Sequence, residues 1–596
     1  MRFLTIYFDM QLKKVNEMGT IFSGKGSLAL SVTAVLLASA FGTPALPGGL
    51  ENLLPGPSVA WADPLVDRPQ SYDPGVQLNQ TREYLERQLE ERRIEEGAAS
   101  RKSQVETTLQ KPEEAAPQVT FMLNKVETGP SEILTEAEIN AITSQYAGKG
   151  VSLQDLYAIT EAINKLYADK GYMVCRAYLP PQRIHGGVVQ VKLLEGKTGK
   201  VTVQGLRHTR LGYLMNRISL EEGKIANTAR LNQELQLFNA TNDMQLRIAV
   251  HAGEQEGTTD YEIMAYEPKN NHAVTLYLDN NGYETSGRFR QGIFYSMRSV
   301  TGQRDSLRLN YLRSRGTNMF GAGYSLPLNN KGTRLDIDYS TNTTKVVKGN
   351  MKDLGVKGHA YTAGLTLRHP LRVDRKSRYE AGLQYLYSHS ETELGTNSPV
   401  REKWVDDSRN TYIPYVSFTH YGDSSILYHR HSFPFTNWNG AYNNRNDYLS
   451  YQLDMLYNKR YKHGQMLAGR LNTQLGSDKD RSSADRFYAG GSNSVRGYEE
   501  SYYGGNQGVT AGFTYQVPLN KKQSLQAFTF FDYGWVKSCD ANAGSYSLYS
   551  TGLGLSASYK GLYTSLTLGF PLKKEYAFTT EKVSSARLDF VCSATF

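Results

Sequence analysis

The sequence predicts a mainly β fold: a C-terminal transmembrane antiparallel β-barrel of about sixteen strands, preceded by two small α+β domains and an N-terminal helix. Three observations support this. From about residue 272 to the end, apolar and polar residues alternate in short stretches, which is the period of a strand. Away from the N-terminus, no stretch approaches the roughly 18 apolar residues that a membrane-spanning helix needs. Tyrosine, with 41 copies against 21 Phe, suits surfaces that are apolar on one side and wet on the other.

The composition of the 596-residue chain excludes several classes of protein. Charged residues make up 21% and hydrophobic residues 39%, which fits neither a disordered chain nor a bundle of membrane helices. The net charge of +9 is modest for this length, and no basic cluster interleaved with aromatic residues stands out. We therefore expect no nucleic-acid partner.

The N-terminus has the features of an export signal, which we assign to residues 1–62. Lysines precede the apolar run at 27–40, which is too short to span a bilayer and has the length of a signal h-region. Two small-x-small cleavage sites follow, one ending at Ala40 and the other at Ala62. The second is favoured because DPLVDRPQ after it is typical of a mature start. An uncleaved membrane anchor is the alternative.

A polar helix is predicted at residues 74–96, within an N-terminal region at 63–98. Pro74 suits a first helical turn, and glutamates and arginines lie three and four residues apart. The apolar residues form only a thin stripe, made of Val76, Leu78, Tyr84, Leu85, Leu89 and Ile94. A helix this polar belongs in water or in a polar channel. Residues 99–117 have the composition of a flexible linker.

Two consecutive mixed domains are predicted, at residues 118–196 and 197–268. In the first, a strand at 118–128 is followed by two segments of helical spacing and two further strands. The second domain repeats the order, with helices near 210–218 and at 228–240. The shared β-α-α-β-β order implies an internal duplication.

The barrel is predicted at residues 269–596. In its last strand one face carries Leu588, Phe590, Cys592, Ala594 and Phe596, and the other carries Arg587, Asp589, Ser593 and Thr595. A soluble sandwich would also alternate, with its apolar face inward. Strand lengths of about 10–15 residues, a polar face typical of a water-filled lumen, and a chain that ends within a strand favour the membrane barrel.

The sequence gives no indication of a cofactor, a metal site or an active site. The cysteines, Cys175, Cys539 and Cys592, are odd in number and widely spaced, so we expect free thiols. The eleven histidines form no H-E-x-x-H site, and neither a G-x-S-x-G elbow nor a phosphate-binding loop is present. We expect no catalytic residues, and a membrane-barrel enzyme is the alternative from a different class.

Two short motifs give the chain a family resemblance. Val495-Arg496-Gly497-Tyr498 matches the VRGY motif of the sixth extracellular loop, and the segment from Phe530 through Asp532 to Gly534 matches the F-x-D-x-G pattern of barrel strand thirteen. The segment at 167–182, which contains Gly171, Tyr172, Arg176, Leu179 and Pro180, resembles a first POTRA (polypeptide-transport-associated) domain. Together these features resemble the two-partner secretion transporters of the haemolysin secretion/activation family, within the Omp85 superfamily.

The resemblance implies a contact between the two motifs. In the family, the loop folds back into the barrel and its arginine meets the strand aspartate, which implies that Arg496 pairs with Asp532. The alternation of the strand places Phe530, Asp532 and Gly534 on the lumen side, where an aspartate needs a cationic partner. In the alternative interpretation, Arg496 is a solvated loop residue and Asp532 merely lines the lumen.

The resemblance also implies a function. The protein would sit in the bacterial outer membrane, in contact with its lipid, after insertion by the barrel assembly machinery, for which Phe596 would be the terminal signal. Periplasmic POTRA domains would capture the N-terminal secretion domain of a large haemolysin- or adhesin-like exoprotein. That exoprotein would cross the lumen without ATP while the helix at 74–96, which plugs the resting pore, moves away. The alternative within the superfamily is an insertase that assembles other outer-membrane proteins.

Overall fold

The computed structural model describes residues 71–100, 105–107, 120–255, 257–349, 351–395, 402–440, 444–477, 480–537, 544–574 and 583–596. The predicted export signal at 1–62, most of the predicted linker and Cys539 lie outside these ranges. Cys175 and Cys592, which are described, are free thiols.

The N-terminal helix α1 (Pro74–Ser100) is four residues longer than predicted. The Asp73 carboxylate caps its start, accepting hydrogen bonds from the backbone amides of Gly75 (2.7 Å) and Val76 (3.3 Å). The helix continues past residue 96 because alanines favour it and Gly97 costs only about 1 kcal/mol. Ala98 also packs beside the buried Ile94. Among the described residues, no helix is both long enough and apolar enough to cross a bilayer.

The predicted flexible linker at 99–117 contains one short strand, which the sequence analysis did not predict. Strand β1 (Val105–Thr107) pairs in parallel with a strand of the second mixed domain. The β-branched Val105 and Thr107 favour the extended conformation, but three residues are too few for an alternating pattern to show.

The first mixed domain packs two helices against short strands. Its elements are β2 (Phe121–Leu123), β3 (Lys125–Thr128), α2 (Glu136–Thr143), β4 (Lys149–Val151), α3 (Leu153–Asp169), β5 (Arg176–Tyr178) and β6 (Val188–Leu194). The single strand predicted at 118–128 is wrong: β2 pairs with β4, whereas β3 joins β6 and β5. The chain turns at Asn124, whose backbone amide donates to the Gly187 carbonyl at 2.8 Å. Both helices begin with capping boxes.

The second mixed domain has the predicted β-α-α-β-β order. Its elements are β7 (Lys197–Gln204), α4 (Leu211–Met215), α5 (Thr228–Thr241), β8 (Gln245–Ala252) and β9 (Thr258–Tyr266). The sheet order is β1-β8-β9-β7. Its core lies between this sheet and the helices, where Leu214, Leu235 and Ile248 are fully buried.

A closed antiparallel barrel forms the rest of the chain and confirms the predicted architecture. Its elements are β10 (His272–Asp279), β11 (Arg290–Arg298), β12 (Ser306–Arg313), β13 (Thr317–Pro327), β14 (Arg334–Lys345), β15 (Lys357–Val373), β16 (Ser377–Leu394), β17 (Glu402–Tyr421), β18 (Ser425–Ser432), β19 (Phe435–Asn439), β20 (Arg445–Arg460), β21 (Met466–Gly476), β24 (Gln507–Pro518), β25 (Leu525–Lys537), β26 (Ser545–Tyr559), β27 (Leu562–Pro571) and β28 (Arg587–Thr595). Between β21 and β24, a long loop contains the small hairpin of β22 (Phe487–Ala489) and β23 (Tyr503–Gly505).

The barrel has sixteen strands, because β18 and β19 are two parts of one strand. Both parts pair with β17 on one side and with β20 on the other. The interruption falls at Phe433 and Pro434, where proline has no amide hydrogen to donate to a neighbouring strand. The ring closes where β10 pairs with β28.

The two faces of the barrel wall differ as the alternation predicts. On β28, Leu588 is exposed on the outer face, as is Phe596 just after the strand, whereas Arg587 and Asp589 are buried on the lumen face. On β26, Leu553 and Leu555 face outward and alternate with buried glycines. An apolar outer belt around a polar interior is what a lipid bilayer requires of a barrel.

Candidate functional site

The loop between β21 and β24, residues 477–506, folds into the barrel. It contains a short 3-10 helix (Ser483–Asp485), the β22–β23 hairpin and the VRGY segment. Val495 and Tyr498 are at most 1% exposed and pack in one apolar cluster with Val536 on β25 and Leu548 on β26. A polar loop between two strands therefore has its own packed core against the barrel wall.

Arg496 and Asp532 form the centre of this contact. The guanidinium donates to both carboxylate oxygens, through Nε at 2.8 Å and Nη2 at 2.8 Å, and the backbone amide of Arg496 donates to Oδ2 at 3.0 Å. The Arg496 Nη2 also donates to Thr514 Oγ1 on β24 at 3.0 Å. The Asp532 side chain is 1% exposed, and the bidentate Arg496 guanidinium compensates this buried carboxylate.

The residues on either side of Asp532 complete the fit. The Arg496 Cζ lies 3.7 Å from the ring centroid of Phe530, which is a cation–π contact. A β-carbon added at Gly534 would lie 2.8 Å from the Val495 Cγ2, so only glycine leaves room for that side chain. β25 is the thirteenth strand of the barrel, and each residue of its motif touches a residue of the loop motif.

The second half of the VRGY segment is fixed to β27 and the residues that follow it, two strands along the wall from β25. Gly497 has φ of +93°, and a β-carbon there would lie 3.0 Å from the carbonyl carbon of Gly569 on β27. The Tyr498 hydroxyl donates to the Lys573 carbonyl at 2.7 Å. The loop therefore bridges β25 and the region just after β27.

The start of helix α1 touches this loop. The Asp73 carboxylate accepts a hydrogen bond from Ser483 Oγ, and Asn79 Nδ2 donates to the Ala484 carbonyl at 2.8 Å. Val76 is fully buried against Ala484 and Tyr488. Of these residues, only Val76 was singled out from the sequence. The Asp73-Pro74 pair, a helix cap followed by proline, was the available local signal.

The rest of α1 lies in the lumen, held by ion pairs to the wall. Its wall contacts are Arg87 with Asp454 on β20 (3.5 Å), Glu91 with Arg470 on β21 (2.8 Å), Arg93 with Glu380 on β16 (2.6 Å) and Glu96 with Arg298 on β11 (3.9 Å). These strands surround the helix on several sides. The apolar residues of α1 contact two different parts of the wall. Leu78 packs near β12 and β13, whereas Ile94 packs near β17 and β18.

The helix consequently narrows the lumen. A cavity of about 540 Å³ is left beside α1, lined by charged side chains of both signs. An extended polypeptide would need the space that the helix occupies.

The residues predicted from the POTRA-like segment lie away from this anchor. The Gly171 carbonyl accepts hydrogen bonds from Thr228 Oγ1 (2.9 Å) and the Ala229 amide (3.0 Å), so Gly171 joins the two mixed domains. Tyr172 and Leu179 pack against the core of the first domain. Arg176 lies in β5 and is half-buried, as is Pro180 two residues beyond that strand.

Cys175 lies within the same core and is 3% exposed. Burial, with a smaller contribution from the charge of Glu195, raises the pKa of its thiol to about 12. This cysteine is a structural apolar residue in a domain that lies outside the barrel.

Phe596 is placed at the barrel seam. Its backbone exchanges hydrogen bonds with Val274 on β10, with the Phe596 amide donating at 2.9 Å, while the residue as a whole is 70% exposed. The last residue thus joins the first and last strands.

Comparison with known families identifies the architecture. A model described as "Haemolysin secretion/activation protein ShlB/FhaC/HecB" matches residues 257–557, just over half of the chain. The chain belongs to the haemolysin secretion/activation protein family. A model described as "POTRA domain, ShlB-type" matches residues 121–196. We therefore refer to the two mixed domains as POTRA1 and POTRA2.

Individual relatives are similar along most of their length. The "Heme/hemopexin transporter protein HuxB" of Haemophilus influenzae (strain 86-028NP) is 27% identical over 515 residues, which cover 80% of this chain and 89% of that protein. The "Outer membrane transporter CdiB" of Escherichia coli O6:K15:H31 (strain 536) is 23% identical over 489 residues, covering 76% and 79%. Shares of this size exceed the barrel alone, so both alignments also include residues that precede it.

Solved structures share the fold. CdiB from Escherichia coli aligns with a TM-score of 0.68 at 19% identity, covering 88% of this chain and 99% of that chain. CdiB from Acinetobacter baumannii aligns with a TM-score of 0.64 at 17% identity, covering 89% and 100%. As a member of the family, the protein is a two-partner secretion transporter of the outer membrane with its POTRA domains in the periplasm, and it moves an exoprotein across that membrane.

Proposed function

We propose that POTRA1 and POTRA2 capture the N-terminal secretion domain of a large haemolysin- or adhesin-like exoprotein, which then passes through the lumen without ATP. In this proposal the chain catalyses no reaction, and folding of the exoprotein outside the cell makes the movement directional. The observation that carries the proposal is the way α1 is held in the lumen, through ion pairs and hydrogen bonds to polar side chains of the wall and the loop. A helix held in a pore by ion pairs and hydrogen bonds can leave without exposing a large apolar surface to water.

The periplasmic surface offers places for capture. POTRA1 exposes large apolar side chains, among them Tyr157 on α3, Met173 before β5 and Tyr178 on β5. Exposed aromatic and methionine side chains are typical of protein-binding surfaces. Together with the strand edges of both domains, they supply the contacts that recognition of an extended polypeptide uses.

The identity of the exoprotein is tested in the native bacterium. We expect that removing this chain depletes one or a few large proteins from the cell surface and medium and that restoring it returns them, as measured by mass spectrometry of each fraction. A variant lacking residues 118–267 should insert its barrel and still fail to export those proteins.

The same removal experiment distinguishes a secretion transporter from the alternative function, an insertase. An insertase would, when removed, lower the amount of many outer-membrane barrels at once rather than of a few exported proteins. A broad loss of that kind, or no change in any exported protein, would overturn the proposed function.

A further inference from the structure

A cluster of three basic side chains lies on the outer face of the barrel: Arg313 at the end of β12, Lys345 at the end of β14 and Lys357 at the start of β15. All three are exposed. The strand neighbours Leu312 and Thr344 contact α1 in the lumen, which puts Arg313 and Lys345 on the opposite, outer side. Among the residues that the structure describes, none of the three basic side chains forms a salt bridge with a carboxylate.

Two of these charges face each other. Lys345 and Lys357 are direct register partners in the antiparallel pair of β14 and β15, so they point to the same face. The β-carbons of such partners stand about 5 Å apart, and like charges placed there are destabilising. Arg313 lies two strands from Lys345, a spacing of about 10 Å. The wall therefore holds three positive charges close together, at a cost that an anionic ligand would remove.

A groove of about 420 Å³ runs beside the two lysines. Its lining includes Arg315, from the turn after β12, and His359, two residues along β15. Glu391 and Glu393 line it on the β16 side, and Lys403 lies 3.4 Å from Glu391 and offsets its charge. The groove is thus basic on its β12–β15 side and has room for a polar headgroup.

The cluster lies at the cell-surface end of the barrel. At the other end of the same part of the wall, the turn between β13 and β14 contacts POTRA2, where Arg217 Nη2 donates to the Asn329 carbonyl at 2.8 Å. The turn between β11 and β12 does the same through an ion pair of Arg304 with Asp243. Since the POTRA domains are periplasmic, the ends of the strands that carry the basic cluster face the outside of the cell.

The residues along β15 place the cluster at the level of the lipid headgroups. On the outer face, Tyr361 lies four residues beyond Lys357, about 13 Å along the strand, and the exposed Leu365 and Leu367 follow it. The ring of Tyr361 lies 6.5 Å from that of Tyr339 on β14, and tyrosines of this kind mark the boundary between hydrocarbon and headgroups. The leucines therefore face acyl chains, and the basic cluster faces the headgroups of the outer leaflet.

We propose that this basic cluster binds the phosphate groups of lipopolysaccharide, the phosphorylated glycolipid of the outer leaflet. The glycolipid carries a phosphate at each end of a disaccharide. One phosphate lies between Lys345 and Lys357, where it separates the two like charges, and the other lies beside Arg313. Charge-assisted hydrogen bonds to phosphate are strong, and basic residues beside a membrane attract anionic headgroups. The site anchors this part of the wall to the cell-surface leaflet and is separate from the plug, the loop and the POTRA surfaces.

Binding of purified lipopolysaccharide to the full chain, purified in detergent and stripped of lipid, tests the site. The triple variant Arg313→Gln, Lys345→Gln, Lys357→Gln removes the charges and keeps side chains that reach into water. We expect its affinity, measured by microscale thermophoresis at low salt, to fall at least about tenfold, since each basic residue near an anionic surface contributes roughly a factor of five. The affinity of the native chain should also fall as salt is added.

The matched control is Lys521→Gln, Lys522→Gln, Lys560→Gln. It removes three exposed lysines from the turn between β24 and β25 and the turn between β26 and β27, at the periplasmic end of the barrel. Its affinity for lipopolysaccharide should equal that of the native chain. A second arm uses the native chain with lipopolysaccharide whose phosphates have been removed, which should bind at least about tenfold more weakly. This arm needs no substitution, so it stands even if the triple variant inserts poorly.

Equal affinity of the native chain and the triple variant for lipopolysaccharide would overturn the inference. Equal binding of the intact and the dephosphorylated glycolipid would do the same. Phosphatidylglycerol bound as tightly as lipopolysaccharide by the native chain would overturn the assignment of the ligand to the outer leaflet. Unchanged lipid binding together with loss of export by the triple variant would assign the cluster to an acidic exoprotein instead.

Discussion

Gly534 lies directly against Val495, and a β-carbon at position 534 would approach the Val495 Cγ2 to 2.8 Å. Gly534→Ala should therefore push the loop off β25 at a cost of about 1–3 kcal/mol, typical of overpacking. We expect a marked loss of export with a normal amount of inserted barrel. Gly469→Ala on β21 is the control, because the nearest atom to its β-carbon would be at 3.5 Å. Equal export by both variants would contradict this role of Gly534.

Arg496→Ala and Asp532→Ala should each abolish most export while the barrel still inserts and resists heat in detergent. Removing one partner of a buried pair costs about 3–5 kcal/mol, because the other charge is left uncompensated. The many hydrogen bonds between strands keep the barrel folded.

A double-mutant cycle on export checks this coupling. The second substitution should add little to the first. The exchanged pair, Arg496→Asp with Asp532→Arg, should recover only partly, since the fork geometry of guanidinium does not transfer to the strand position. Fully additive losses would mean that the two residues act independently.

Arg93→Ala should increase the fraction of time that the pore is open. The loss of its contact with Glu380 costs about 1–2 kcal/mol, which is less than for an isolated buried pair because Glu380 keeps Arg378 as a partner. This cost corresponds to a roughly tenfold shift in the equilibrium between the closed and the open pore. Single-channel recording in planar bilayers measures the shift. Arg92→Ala, which removes an exposed neighbour, should leave the recording near that of the native protein.

Deleting Phe596 should lower the amount of inserted barrel rather than the activity of each inserted molecule. The deletion removes the two backbone hydrogen bonds with Val274 at the seam together with the exposed terminal ring. Phe596→Ser keeps the backbone and separates these effects, since it removes only the ring. The amount of inserted barrel is measured from its heat-modifiable mobility in gels. Normal insertion of both variants would refute a role for Phe596 in insertion.

Cys175 should resist alkylation in the folded protein. Its pKa of about 12 lies well above the ordinary value of 9.0, so at pH 8 the folded thiol carries about a thousandfold less thiolate than a free one. In a Cys539→Ser, Cys592→Ser background, we expect slow reaction with iodoacetamide that becomes fast in denaturant. Rapid modification without denaturant would show that POTRA1 opens readily at this position.

The parts predicted well from the sequence are those that have a local signature. Alternation along β28 predicted which residues face outward, because the period of a strand fixes the side of each side chain. The family motifs pointed to Arg496 and Asp532, and the structure brings the two together. The residues that hold α1 were missed because Glu380 and Arg378 resemble any charged pair in a strand. Their importance comes from contacts with Arg93 and Ala240, which lie far away in the sequence.

The arginines that hold α1 to the wall also have partners within the helix. Arg87 lies 3.6 Å from Glu83, and Arg93 lies 3.1 Å from Glu90. If α1 leaves the lumen as proposed, each guanidinium loses its wall carboxylate and keeps the carboxylate within the helix. Such pairs, spaced three or four residues apart, also stabilise an isolated helix by about 0.2–0.5 kcal/mol each. In the proposed transport cycle, α1 would therefore leave and re-enter the lumen as a preformed helix, with no need to refold after each passage.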